Sequence, residues 1–285
     1  MKRRRMFNVL LILTALLSCQ NPQFEDEDGG TRLRFVPTTS DLTRGTVSIG
    51  DYFSRLAVQM FDQDGNKVFS QSKTQAKDDD NFGTLNVGLK TGTYTVVAVG
   101  HSSPVTPTIK STELVQFTAK DGVKNSDTFC HYGQVTINDD GGYHELKMNR
   151  VTAMIMLSFT DETMPENFAG LKVEYTGGSA NFNPSTGEGC TKSSQVETRL
   201  NRATQYQVFT FPYLSTEGVL KVTLSALDAN QNVLTTKILS DVPVTRNRIT
   251  KCTGQLFSDG DFDIKQTTFG ISINDNWDGE IEYHF

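Results

Sequence analysis

From Thr31 onward the apolar residues of this chain fall on every second position. Leu33 and Phe35 open the series. Leu56, Val58 and Met60 alternate with Ala57, Gln59 and Phe61, and Tyr94, Val96 and Ala98 alternate with Thr95, Val97 and Val99. Leu146 and Met148 lead into Val151, Ala153, Ile155, Leu157 and Phe159. The rhythm returns over 171–175, 206–211, 220–224, 233–238, 249–256, 269–273 and 281–285. Alternation bounded by turns such as Asp62-Gln63-Asp64-Gly65-Asn66 and Asp228-Ala229-Asn230-Gln231-Asn232 predicts half-buried antiparallel strands. A helical period is missing, and 164–169 supports at most one helical turn. The expected fold is all-β, arranged as two sandwiches. No Pro/Gly linker interrupts 144–151, so one extended segment is expected to close the first sandwich and open the second. The domains predicted are 31–149 and 150–285, each of ordinary size.

The start of the chain obeys a different rule. Lys2, Arg3, Arg4 and Arg5 precede a nearly unbroken apolar run over 6–17, which ends in Leu16-Leu17-Ser18-Cys19. A charged beginning and an apolar stretch too short to span a membrane predict a secretory signal. Small Ser18 ahead of a cysteine makes it a bacterial lipoprotein signal over 1–18, cut between Ser18 and Cys19, with the lipid carried by Cys19. Residues 19–30 contain Glu25-Asp26-Glu27-Asp28-Gly29-Gly30 and read as a flexible acidic tether. In some outer-membrane lipoproteins such acidic residues also direct display on the cell surface.

Charge narrows the partners. Four of the 27 basic residues and none of the 33 acidic ones lie in the signal, leaving 23 against 33 and a formal charge of −10. Such a chain gains nothing from counterion release on nucleic acid and is repelled by anionic lipid. Nucleic acid is excluded as a partner, and membrane attachment has to be covalent. Cys130, Cys190 and Cys252 are an odd set at wide spacing, compatible with one disulfide or with three buried thiols.

Motifs for chemistry are sparse. The four histidines show no HExxH or His-x-His spacing, so no metal site is assigned, and Cys130-His131 would face opposite sides of a strand. Asp62-Gln63-Asp64-Gly65-Asn66 lacks the spacing and helices of a calcium loop and reads as a hairpin turn. No nucleophile elbow or phosphate loop appears, so no catalytic residue and no cofactor are expected. The single tryptophan, Trp277, is expected to cover the end of the second core. In Leu89-Lys90-Thr91-Gly92-Thr93-Tyr94, a glycine turn leads to a tyrosine whose hydroxyl is expected to bond backbone at a sheet corner.

Taken in order, several strand texts resemble the fimbrillin superfamily of type V pili, and within it the FimB-like fimbrial lipoproteins. They are 55–68, beginning Arg55-Leu56-Ala57-Val58, and 92–102, beginning Gly92-Thr93-Tyr94. Asp127-Thr128-Phe129, Asn149-Arg150-Val151-Thr152-Ala153, 243–250 leading to Gly254, and 271–277 ending at Trp277 complete the set. The resemblance implies two tandem transthyretin-like antiparallel β-sandwich domains. It also implies a non-enzymatic role at the outer membrane, in a fimbria whose subunits join by strand addition. In such pili a protease cutting after arginine removes a subunit's first strand, and a neighbour's terminal strand fills the groove. Arg44-Gly45 is the candidate processing site here, the strand released would include Leu33 and Phe35, and the candidate donor strand carries Ile281, Tyr283 and Phe285. Anchors in this family keep their lipidated start. Host or bacterial surface ligands stay open as further partners. The competing expectation is a surface glycan-binding lipoprotein, also built of β-sandwiches, against which the scarcity of tryptophan counts.

Overall fold

A computed structural model describes residues 30–37, 48–118, 125–213, 218–258 and 262–266. The first stretch of chain forms β1 (Thr31–Pro37), β2 (Arg55–Phe61), β3 (Lys73–Ala76), β4 (Thr84–Val87), β5 (Gly92–His101), β6 (Thr108–Ser111), β7 (Leu114–Gln116), β8 (Thr128–Ile137) and β9 (Gly142–Arg150). After it come β10 (Ala153–Phe159), β11 (Gly170–Ser179), β12 (Asn181–Asn183), β13 (Glu188–Gly189), β14 (Lys192–Arg199) and β15 (Gln205–Pro212). The series ends with β16 (Gly218–Leu227), β17 (Val233–Val244), β18 (Ile249–Gly254) and β19 (Asp263–Gln266). Among the described residues the one helical element is a 3₁₀ turn at Ile49–Asp51; around 164–169 there is only a turn closed by Phe168 N–H on the Pro165 carbonyl. The fold is all-β, as the alternation predicts.

Each half is a folded-over sheet. In the first, the order is β3-β2-β5-β8-β9-β1-β4. β8 and β9 share only two residue pairs, Phe129↔Arg150 and Cys130↔Asn149, so the sheet bends there and its two arms face each other. Leu33, Phe35, Leu56, Val58, Met60, Val96, Ala98 and Met148 fill the space between. In the second half the order is β17-β16-β11-β15-β10-β18-β19, with β14 on the far edge of β11. Its bend is again a two-pair corner, Gly178↔Pro212 and Ser179↔Phe211. The core there holds Ile155, Leu157, Val173, Tyr175, Val208, Val222 and Leu224. In both halves the opening strand runs parallel to a late one, β1 with β9 and β10 with β18, so the chain crosses the sandwich before returning.

A third, four-stranded sheet corrects the expectation that these strands are half-buried. Its order is β13-β12-β7-β6, with β6 and β7 from the first half and β12 and β13 from the second. The two contributions meet at Asn181↔Gln116 and Phe182↔Val115. Beneath it Ala57, Phe61, Val97, Val99 and Cys130 pack against Val115, Phe117, Phe182 and Phe211. Hence β2 and β5 are covered on both faces, and Val96, Val97, Ala98 and Val99 are all fully buried. Buried Gln59 is tolerated on β2 because its amide is spent on backbone. Nε2 donates to the Phe69 carbonyl at 3.0 Å, and Oε1 accepts from Met60 and Phe69 N–H at 2.9 and 3.2 Å.

Candidate functional site

Two features have the geometry to serve assembly: the slot that β1 occupies and the joint between the halves. β1 owes its place to its pattern. Thr31, Leu33, Phe35 and Pro37 are buried while Arg32 and Arg34 face solvent. It is held on both flanks, parallel to β9 from Thr31↔Gly142 to Pro37↔Met148 and antiparallel to β4 from Thr31↔Val87 to Arg34↔Thr84. Beyond the ladder, Phe35 N–H donates to the Gly83 carbonyl at 2.9 Å and Arg32 Nε to Asn86 Oδ1 at 3.3 Å. Burying Leu33 and Phe35 contributes roughly 3–6 kcal/mol together. Removing β1 would leave β9 and β4 with unpaired backbone along a groove floored by the first core.

Free margins elsewhere are blunted against casual pairing. β3 and β4 have four residues each. β14 turns Gln195, Glu197 and Arg199 toward the interior, where Glu197 accepts from Arg199 Nη2 at 3.2 Å. β17 puts Lys237 on the core-facing side, its Nζ bonded to the Ser258 carbonyl, then breaks register near Asp241, whose φ is 56°, and carries Pro243. Inward charges, a bulge, proline and short length are the devices that keep sheet edges from adding strands.

At the joint, three of the texts that carry the family resemblance meet in space. Arg150, at the end of β9, donates to Asp127 through Nε at 2.8 Å and Nη2 at 2.9 Å, and to Asn247 Oδ1 through Nη1 at 3.0 Å. Thr152 Oγ1 donates to Asp127 at 3.2 Å, and the guanidinium lies over the Phe129 ring at 4.6 Å from its centroid. Asn247 can offer this contact because it takes a left-handed turn conformation, φ 59°, which asparagine tolerates. Nearby, buried Asn125 donates to the Phe209 carbonyl at 3.2 Å and to Tyr175 Oη at 3.4 Å, tying the segment that enters β8 to the second core. Sequence reasoning picked out these segments as text, but not the ion pair, whose members lie 23 residues apart.

Other expectations land as follows. Tyr94 Oη donates to the Lys90 carbonyl at 2.9 Å, the corner bond its motif predicts. Asp62 accepts from the N–H groups of Asp64 and Asn66 at 3.0 and 2.8 Å, and Asp228 does the same for Asn230 and Asn232 at 2.9 and 2.8 Å. Both loops are hairpin turns stabilised by one aspartate; the Asn66 backbone N–H foremost holds the Asp62 carboxyl below the usual range, and the Asn232 side-chain amide, at 2.9 Å, followed by the backbone N–H bonds, does so for Asp228. Cys130, Cys190 and Cys252 are free thiols; burial pushes the Cys130 thiol up and that of Cys252 up to about 12. Ser18, Cys19, Arg44, Gly45, Trp277, Ile281, Tyr283 and Phe285 lie outside the described residues.

The chain is similar in fold to several solved structures. One is a candidate adhesin from Bacteroides ovatus, with 13% identity, a TM-score of 0.49, and coverage of 73% of this chain and 75% of that one. Another is a fimbrial assembly protein from Parabacteroides distasonis, with 15% identity, a TM-score of 0.44 and coverage of 82% and 94%. A third is the fimbrial anchor protein Mfa2 from Porphyromonas gingivalis, with 12% identity, a TM-score of 0.44 and coverage of 88% and 99%. No curated protein matches the chain. The model of DUF6562, a family of unknown function, matches residues 26–285, and the chain belongs to that family.

Proposed function

We propose that this chain is a lipid-anchored fimbrial subunit, a basal anchor or accessory piece, that joins its neighbours by strand addition and catalyses nothing. The observation that carries the reading is β1. It is a pre-inserted strand, buried on alternate residues and paired on both edges, and it precedes the segment that holds Arg44-Gly45. The blunted margins support it too, since they favour strand exchange at a guarded slot over pairing at an open edge. In this reading 1–18 is the signal, Cys19 carries the lipid into the outer membrane, 19–30 is the tether, and the sandwiches span 31–149 and 150–285. The last segment, with Ile281, Tyr283 and Phe285, is the strand offered to a neighbour.

N-terminal sequencing of the protein recovered from cells tests the assignment. A start at modified Cys19 supports an anchor that keeps β1. A start at Gly45 makes it a polymerising subunit that gives β1 up. An unlipidated start anywhere else defeats both forms.

A further inference from the structure

On the second sandwich the connection between β14 and β15 leaves a polar hollow of about 310 Å³, lined by Met156, Arg199, Asn201, Gln205, Tyr206 and Gln207. The pleat dictates its make-up. On β15 Tyr206 and Val208 turn into the core, so Gln205 and Gln207 turn outward, and Gln207 lies directly across from Met156 on β10. Tyr206 Oη donates to the Asn201 carbonyl and accepts from Ala203 N–H at 3.2 Å, which fixes the connection that presents Asn201. Arg199 closes the wall. Its Nη2 is spent on Glu197, while its Nε is buried without an acceptor among the described residues.

Charge decides what such a hollow can hold. The Arg199 cation is matched by Glu197, whose side chain is 1% exposed, so an incoming anion would have to compete with a buried carboxylate. What remains is three primary amides, each able to donate and accept, set around a thioether. Hydroxyl groups have the same double capacity, and the Met156 side chain suits the C–H face of a ring. The volume is at the small end of ligand cavities, which run from roughly 300 to 1,000 Å³, so one ring fits and a polymer does not. We propose that this hollow binds one neutral pyranose residue, free or at the end of a glycan. The site is separate from the β1 slot and does not depend on the fimbrial reading.

The test is a titration of the ¹⁵N-labelled full chain with methyl α-mannoside, methyl β-galactoside, N-acetylglucosamine and, as the anion arm, sodium phosphate. The side-chain amide signals of Gln205 and Gln207 are followed. At least one sugar is expected to shift them saturably with a Kd of roughly 0.1–10 mM, the range a few hydrogen bonds at an open site allow. Gln207→Ala is expected to weaken binding about tenfold, with the backbone spectrum elsewhere unchanged, and Gln205→Ala to act likewise. A methyl glycoside that binds as tightly as an oligosaccharide ending in the same sugar supports a single-residue site; a chain that binds far tighter overturns that limit. Saturation by phosphate instead of sugars overturns the neutral-ligand assignment. Absence of saturation by all three sugars at about 50 mM, or a Kd untouched by both substitutions, overturns the site.

Discussion

Asp127 and Arg150 allow a quantitative test of how the halves are joined. The Arg150 side chain is 6% exposed and Asp127 23%, and the contact is two parallel N–H···O bonds at 2.8 and 2.9 Å. Both charges have surrendered most of their water, so removing one strands the other. Asp127→Ala is expected to cost about 3–5 kcal/mol, because the buried guanidinium then loses its carboxylate and the two charge-assisted bonds made to it. Arg150→Met is expected to cost a similar amount, since it leaves the carboxylate with the Thr152 hydroxyl. Removing both leaves no orphan charge, so the double variant should cost less than the sum by about 2 kcal/mol or more. Urea unfolding of the four proteins at 25 °C, read by circular dichroism, supplies the cycle. The intact protein is expected to unfold in one step, and Arg150→Met, which also removes the bond to Asn247 of the second half, to separate the halves toward two. Single costs below about 1 kcal/mol, or additivity within about 0.5 kcal/mol, would refute the argument that this contact is desolvated and shared.

Three further outcomes follow from the geometry. Phe35→Ala and Leu33→Ala are expected to cost about 3–5 and 2–5 kcal/mol, while Arg32→Ala on the exposed side of β1 stays within about 0.5 kcal/mol; equal effects in urea melts would mean β1 is not seated as described. Gly100→Ala would place a methyl 2.4 Å from the Phe53 ring and is expected to cost about 1–3 kcal/mol, measurable as a fall in Tm. His101 is 1% exposed, and burial, helped by the Arg55 charge and partly offset by a bond to the Ser103 backbone, lowers its pKa from 6.5 to about 4. The unfolded chain therefore takes up this proton first. Its contribution is complete above about pH 6.5, falls by roughly 3 kcal/mol as pH drops to about 4, and is flat below. His101→Gln should flatten the stability profile across that window by the same amount, and an unchanged slope would contradict the burial argument.

How much of this was legible depends on whether a strand shows water one face and core the other. β1, β10, β15 and β16 do, and their alternation reads directly. β2 and β5 betray their second covering by apolar residues at both parities, Ala57 and Phe61 beside Leu56 and Val58, although nothing local says what covers them. β14 inverts the rule. Its polar Gln195, Glu197 and Arg199 face in while Val196 is 47% exposed, so a period-two reading finds no strand there. β12, with three residues, is too short to have a period. The Asp62 and Asp228 turns were readable because their bonds are local, whereas the Asp127–Arg150–Asn247 contact joins residues that only the bent sheets bring together. Of the β1 slot, the alternation announced the strand and its buried face, and the parallel partner β9 came only with the fold.

The sheet built from β6, β7, β12 and β13 has a mechanical consequence. Two bodies strung on one covalent crossing, here Val151-Thr152, would swivel like beads on a thread. A second seam at Phe182↔Val115 and a third clasp at Arg150 leave that pivot no freedom to turn. Any twist of one half against the other therefore has to break backbone pairing and a buried side-chain clasp as well as turn the covalent crossing.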